Sequence, residues 1–454
     1  MEEEKGKIVV SWSERETGFQ SWGKKRREDD DETLFQRCIS KKRRHDPDAS
    51  RKYNGKDIRN RRDDDNESSI FISNDVLEEI ALKLPVKALL RFQTVSKHWR
   101  RRIESRSFME RHMLHQKTTH EPPRLVCLTH GERNLTLTTM RWSESCSGTC
   151  LVEEVPAHHI ERRQPELYSG ITQSCDGIVC IFDEDTLTTP VTVMNPAMKR
   201  SKILPLSMFQ RQCLNKTKPP PDRLILLEPG FGKDHVTGTY KLVWLHNRIS
   251  DYTLSCEVFD FEANKWSCVM NTPCDLYAFG QPIFTEGWLY WLAGGKQFGD
   301  GKVLAYNLHT EMFRVITNRL VSEAPFLGAI GIFSLNDRIW LTDLMGDGGN
   351  GIQHFWRIRN ALGSHWESEK MFSIDSRLLS PWFVSHDDNE SSHPWPCTLV
   401  ATSEDNNKVI VSNSFHTHLV QLLPRSTSLC VCSAFSAPPH TKFVPYFPSL
   451  IFPL

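Results

Sequence analysis

The sequence predicts an α+β multidomain chain in three parts: a disordered, charged N-terminal head at 1–66, a small helical module at 67–116, and a mainly-β, propeller-like body at 122–454. Three observations lead there. Of the first 68 side chains, 35 are charged, against 77 of the remaining 386. Apolar residues then fall at helical spacing between 76 and 103. Beyond 122, short β-branched and aromatic runs recur roughly every 50 residues between Gly, Pro, Asn and Asp.

The head comes first. It has few aliphatic residues and interleaved charges of both signs, 18 basic and 17 acidic by residue 68. So little apolar surface does not repay the entropy of ordering. Two basic tetrads stand out, Lys24-Lys25-Arg26-Arg27 and Lys41-Lys42-Arg43-Arg44. Adjacent cations on an extended chain suit an acidic import receptor, which makes both tetrads nuclear-import candidates. Glu28 to Glu32 and Asp63 to Asp65 lie beside the basic runs, so a solvated polyampholyte is the simpler alternative, and nucleic-acid binding is disfavoured.

Within the helical module, Val76, Leu77, Ile80, Ala81 and Leu84 make one apolar face. Ser73 or Asn74 can cap this helix, and Asp75, Glu78 and Glu79 complement its dipole. Pro85 ends it and suits the first position of the next, which runs through Val86, Leu89, Leu90 and Phe92. A third segment puts Trp99 and Ile103 four apart, with Phe108, Met109 and Met113 continuing the spacing. Three short helices make a poor core alone. Either a partner covers the surplus apolar face, or the module caps the body of its own chain.

In the body one repeated feature is an apolar strand, at Gly177-Ile178-Val179-Cys180, Tyr240-Lys241-Leu242-Val243-Trp244, Trp288-Leu289-Tyr290-Trp291, Arg338-Ile339-Trp340-Leu341 and Lys408-Val409-Ile410-Val411. The central residues are 64, 47, 50 and 70 apart. The second feature is an apolar run ending in Asn195, Asp260 or Asn307, with Trp266 and Phe313 six residues beyond the last two. Strand groups at this period mark propeller blades of kelch-like length, with an insertion at 207–222. A β-sandwich of similar strand content is the alternative.

The series Leu77, Ile80, Leu84-Pro85-Val86, Leu89, Arg91-Phe92, Val95-Ser96-Lys97, Trp99, Ile103 and Ser107-Phe108 closely resembles the F-box. The resemblance implies binding to a Skp-type adaptor and, through it, to a cullin scaffold. The adaptor-contacting and core set would be Ile72, Leu77, Ile80, Leu84, Pro85, Leu89, Val95 and Trp99. The family usually opens with Leu-Pro where this chain has Ile72-Ser73, and losing one apolar contact costs about 1 kcal/mol. The body resembles the plant F-box-associated domain. The resemblance lies in Ser174-Cys175-Asp176-Gly177, Asn195-Pro196-Ala197, Gly230-Phe231-Gly232-Lys233-Asp234, Gly287-Trp288-Leu289-Tyr290-Trp291 and the closing Tyr446-Phe447-Pro448-Ser449. It implies a domain that holds a target protein, at residues the sequence does not identify.

Composition and absent motifs narrow the rest. Lys+Arg and Asp+Glu tie at 56, so no global charge favours nucleic acid or membrane. No stretch of about 18 apolar residues offers a span, and Met1-Glu2-Glu3-Glu4-Lys5 lacks a signal-peptide core. Thirteen cysteines include Cys146-x3-Cys150 and Cys430-x-Cys432, without a second pair at zinc spacing. No metal and no cofactor are expected, and the thiols read as reduced core residues in the nucleus or cytoplasm. Gly230-x-Gly232 reads as a turn entering the strand at 240, since no third glycine or helix follows. His158-His159 and His416-x-His418 find no partner for metal or acid–base work.

The expectation is a non-catalytic substrate-recognition subunit of an SCF-type ubiquitin ligase. An F-box protein acting as a nuclear scaffold without degradation is the alternative, and a propeller enzyme with a helical cap a more distant one.

Overall fold

The computed structural model describes residues 73–118 and, from 123 to 453, the strands with many of their connections; 376–397 and 422–440 are among the segments outside it. The head, both basic tetrads and Ile72 also lie outside the described residues. Two compact units divide the chain, the first ending at Leu84 and the second beginning at Pro85.

The first unit holds α1 (Asn74–Leu82). Ser73 caps it, its side chain accepting from the Val76 amide at 3.4 Å. Leu77, Ala81, Leu82 and Leu84 are buried, whereas Val76 is 51% exposed.

The second unit opens with α2 (Val86–Phe92), α3 (Lys97–Ile103) and α4 (Arg106–Thr118). Pro85 sits at the cap of α2 rather than at its first position. The segment expected to continue from Trp99 to Met113 is broken between Ile103 and Arg106. There Ser105 Oγ donates to the Arg102 carbonyl at 2.7 Å and accepts from the Phe108 amide at 3.3 Å, ending one helix and starting the next.

Among the described residues, six antiparallel sheets follow. The first contains β1 (Arg124–His130), β2 (Asn134–Ser145), β3 (Gly148–Glu153) and β4 (His158–Glu161). Next come β5 (Ser169–Ile171), β6 (Val179–Asp183), β7 (Thr192–Asn195) and β8 (Arg200–Ile203). After α5 (Met208–Asn215) the third sheet has β9 (Leu224–Leu226), β10 (Gly230–Lys233), β11 (Tyr240–Arg248), β12 (Leu254–Asp260) and β13 (Lys265–Val269). The fourth is β14 (Tyr277–Thr285), β15 (Trp288–Gly294), β16 (Gly301–Asn307) and β17 (Phe313–Ile316). After α6 (Arg319–Ser322) the fifth is β18 (Ile330–Leu335), β19 (Arg338–Asp343), β20 (Ile352–Ile358) and β21 (Ser368–Asp375). The sixth has β22 (Thr398–Thr402), β23 (Lys408–Ser412) and β24 (Thr417–Gln421), and β25 (Lys442–Tyr446) returns to pair with β1.

This is a propeller. The inner strands β10, β14, β18, β22, β25 and β5 neighbour one another in that order. Apolar clusters fill the spaces between successive sheets: Val126, Ile171 and Val179 join the first to the second, and Ile178, Val193, Trp244 and Phe259 the second to the third. Val243, Trp291 and Tyr306 join the third to the fourth, and Ile283, Val303, Ile339 and Leu341 the fourth to the fifth. The second, third and fourth sheets are therefore wrapped in apolar side chains on both faces, which a two-sheet sandwich does not need.

The five repeated apolar runs fall on β6, β11, β15, β19 and β23, each next to the innermost strand of its sheet. The runs ending in Asn195, Asp260 and Asn307 are β7, β12 and β16. One expectation fails: Gly230-Phe231-Gly232-Lys233 is not a turn but the strand β10, paired with Tyr240 to Val243. The neighbouring sheet explains its glycines. A Cβ on Gly230 would strike Leu289 and Trp291, and one on Gly232 would strike Phe284 and Leu308. Glycine lets the inner strand approach the next blade closely.

The insertion at 207–222 contains α5. Phe209 stacks on the buried His246 with centroids 4.3 Å apart, and its amide donates to the buried Glu257 at 3.0 Å.

Candidate adaptor-binding surface and its junction with the propeller

The structure sorts the residues assigned to the adaptor into two sets. Leu77, Leu84, Leu89 and Trp99 are buried in the chain itself. Ile80, Pro85 and Val95 are half-buried, and Val76, absent from that set, is exposed. Residues already packed inside support the shape of a docking surface, whereas half-exposed apolar ones gain area when a partner covers them. Ser73 has its own use at the position where proline is usual: its hydroxyl satisfies an amide of the first turn, which proline could not do. Ser96 does the same for α3, accepting from the His98 amide at 3.2 Å.

In the second unit, α4 is fixed to the propeller. Met113 belongs to the apolar cluster between the second and third sheets, with Met109 packed against it. At the end of α4, Lys117 Nζ donates to Asp176 Oδ1 at 3.0 Å. The other carboxylate oxygen accepts from Lys233 Nζ at 3.1 Å and from the Tyr240 hydroxyl at 2.8 Å. The Asp176 carbonyl accepts from Ser449 Oγ at 2.5 Å. Asn195 then donates to the carbonyls of Ser449 and Ile451, at 3.0 and 2.7 Å. One aspartate thus gathers α4, the second and third sheets and the C-terminal segment.

Local backbone explains why Asp176 can do this. Asp176 and Gly177 have φ of 50° and 79°, a tight left-handed pair between the bridge residues Cys175 and Ile178. The same pair recurs at Glu286-Gly287 and Asn336-Asp337, where the inner strands of the fourth and fifth sheets turn into their neighbours. Such turns follow the twist of the strands and favour Asn, Asp and Gly.

The electrostatics are consistent. Burial pushes the Asp176 carboxyl up, but Lys117, Lys233 and the Tyr240 hydroxyl outweigh it and hold its pKa below the ordinary value. Burial likewise opposes the Lys117 charge, and Asp176 outweighs it, so that pKa is raised. Burial, then the Asp176 charge, push the Tyr240 phenol far up, so it remains a donor.

Chemistry elsewhere is sparse. The side chains of His158, His159 and His418 and the whole of His416 lie outside the described residues. Among the described residues, no three or more of His, Cys, Asp and Glu are placed to hold a metal ion. Cys127, Cys175, Cys180 and Cys256 are buried. Among the described residues no helix is long and apolar enough to cross a membrane.

The chain is thus of the class that joins a short helical module to a β-propeller, and comparison with known proteins identifies the family. The F-box domain matches residues 72–111, and the F-box associated beta propeller domain matches residues 135–325. An F-box protein of Arabidopsis thaliana is 31% identical over 341 residues, covering 71% of this chain and 74% of that protein. A putative F-box protein of the same plant is 30% identical over 410 residues, covering 84% of each. A putative F-box/kelch-repeat protein, also from that plant, is 32% identical over 317 residues, covering 68% and 72%. The chain belongs to the F-box proteins with an associated propeller, an arrangement of the substrate-adaptor type.

Proposed function

We propose that this chain is the substrate-recognition subunit of an SCF-type ubiquitin ligase, with no catalytic group of its own. The F-box helices bind a Skp-type adaptor, a cullin scaffold joins through that adaptor, and the propeller holds the target. Such a subunit works by raising the effective concentration of target lysines near a charged ubiquitin carrier.

The observation that carries this reading is the junction at Asp176. A receptor has to present its target at a fixed place relative to the adaptor, and α4 meets the propeller through an ion pair and a shared apolar cluster. That contact occupies the end of the propeller bearing the turns at Asp176-Gly177 and 234–239, where Gly238 faces the Arg106 guanidinium. The target surface is then on the faces of the propeller that α4 leaves open, where a rigid scaffold can present variable loops. The proposed compartment is the nucleus, the cytoplasm or both.

The test is reconstitution. The full chain, co-purified with a Skp-type adaptor, should recruit a cullin and support ubiquitin transfer to bound proteins. Their cellular levels should rise when the chain is removed. Adaptor capture without cullin recruitment, and with partner levels unchanged, would instead give the non-degrading scaffold.

A further inference from the structure

The fourth sheet carries a hollow on the face it shares with the fifth. Register sets Tyr290 beside Ala305 and Ala305 beside Arg314 across β15, β16 and β17. Trp288 and Ile316 flank that rank, Ala361 faces it, and the six residues line a cavity of about 120 Å³. The space exists because Ala305 and Ala361 are small where their neighbours are large.

Its walls are well held. Tyr290 is 4% exposed and lies 5.3 Å, centroid to centroid, from the buried Trp366. The Trp366 indole in turn donates to the Ala361 carbonyl at 3.2 Å. Trp288 and Tyr290 are nearly parallel, 25° apart, and the Arg314 guanidinium sits 4.8 Å from the Trp288 centroid. Burial, reinforced by Glu286 and opposed by Arg314, pushes the Tyr290 phenol up to about 12, so it keeps its proton at neutral pH.

Size and chemistry together select a ligand. An apolar cavity of about 150 Å³ accommodates benzene, so one six-membered ring is near the limit here. Aromatic walls favour a ring over an aliphatic chain. A planar guanidinium at the margin matches a carboxylate in geometry and charge. We propose that this hollow is a recognition pocket for an aromatic side chain adjoining a carboxylate, presented by the target protein. The proposal rests on the receptor reading. The carboxylate comes either from the target's own C-terminus or from a neighbouring acidic side chain.

Three probes test it by saturation-transfer NMR titration against the full chain: N-acetylphenylalanine, its amide, and N-acetyl-Phe-Asp-amide. The acid should saturate, with transfer strongest to its ring protons. Ala305→Leu, which fills the hollow, should weaken it about fivefold or more, and so should the half-buried Ala361→Leu if the first variant fails to fold. The amide should bind about fivefold more weakly than the acid to the native chain but equally to Arg314→Gln. Glu286→Gln, removing a nearby negative charge, should tighten the acid. Binding of the Phe-Asp amide on a par with the acid assigns the carboxylate to a side chain, and weaker binding assigns it to a C-terminus. No saturable binding of any ring probe, binding indifferent to both leucine variants, or equal binding of acid and amide would overturn the pocket. Adaptor capture by the same preparations is scored separately, since its failure would sink the receptor reading and leave the pocket standing.

Discussion

Lys117, in the last turn of α4, and Asp176, in a left-handed turn of the second sheet, are 59 residues apart in sequence and 3.0 Å apart in space. Asp176 also holds Lys233 and the Tyr240 hydroxyl. Removing its charge would leave two ammonium groups facing a neutral amide. Asp176→Asn is expected to cost about 2 kcal/mol. That is less than the 3–5 of a fully buried pair, because water screens the Lys117 head group. Thermal unfolding at neutral pH should show the loss, with Lys117→Met losing less because Lys233 and Tyr240 stay paired.

The same carboxylate predicts a pH dependence. Its folded pKa lies below its unfolded value near 3.8. Its contribution is therefore full above that unfolded value and is lost as pH falls through the folded one. The stability gap between the native chain and Asp176→Asn should be constant from pH 6 to about pH 5 and shrink below about pH 4. A gap that widened on acidification would contradict the ion-pair account.

At Gly232 the prediction is steric. Gly232→Ala should destabilise the propeller by about 1–3 kcal/mol, because its Cβ meets the Phe284 ring and Leu308 in the adjoining blade. Denaturant midpoints would measure it. Shortening Phe284 to leucine in the same chain should recover part of the loss, whereas an independent strain would simply add.

Core and contact can be separated within the F-box. Leu89 is fully buried, so Leu89→Ala should lose about 2–5 kcal/mol and weaken adaptor capture with it. Val76 is half exposed, so Val76→Ser should stay within about 0.5 kcal/mol of native stability while lowering adaptor affinity. Calorimetry beside an adaptor titration distinguishes the two.

How far the molecule could be read from its sequence follows from the range of the forces involved. Strands such as 240–244 and 288–291 are legible because their β-branched and aromatic residues are local signals, and their recurrence roughly every 50 residues betrays the propeller. The strand β10 is not, since its glycines answer to Phe284, Leu289 and Trp291 in another blade. β1 escapes the repeat because the strand that completes its sheet arrives from the far end of the chain. Asp176 lay within a recognisable Ser-Cys-Asp-Gly-Ile stretch, but its partners are 57 to 273 residues away. Likewise the F-box residues were legible as a set, while the division into packed Leu89 and Trp99 and half-exposed Ile80 and Val95 needs three dimensions.

The most direct measurement of the receptor claim is co-expression of the full chain with a Skp-type adaptor, beside an Ile80→Ser/Val95→Ser variant. The expected result is a stoichiometric complex with the native chain and a complex lost or much weakened with the variant, whose unfolding temperature stays close to native. A folded native chain that captures no adaptor would contradict the receptor assignment, and the propeller would then stand as a binding protein on its own.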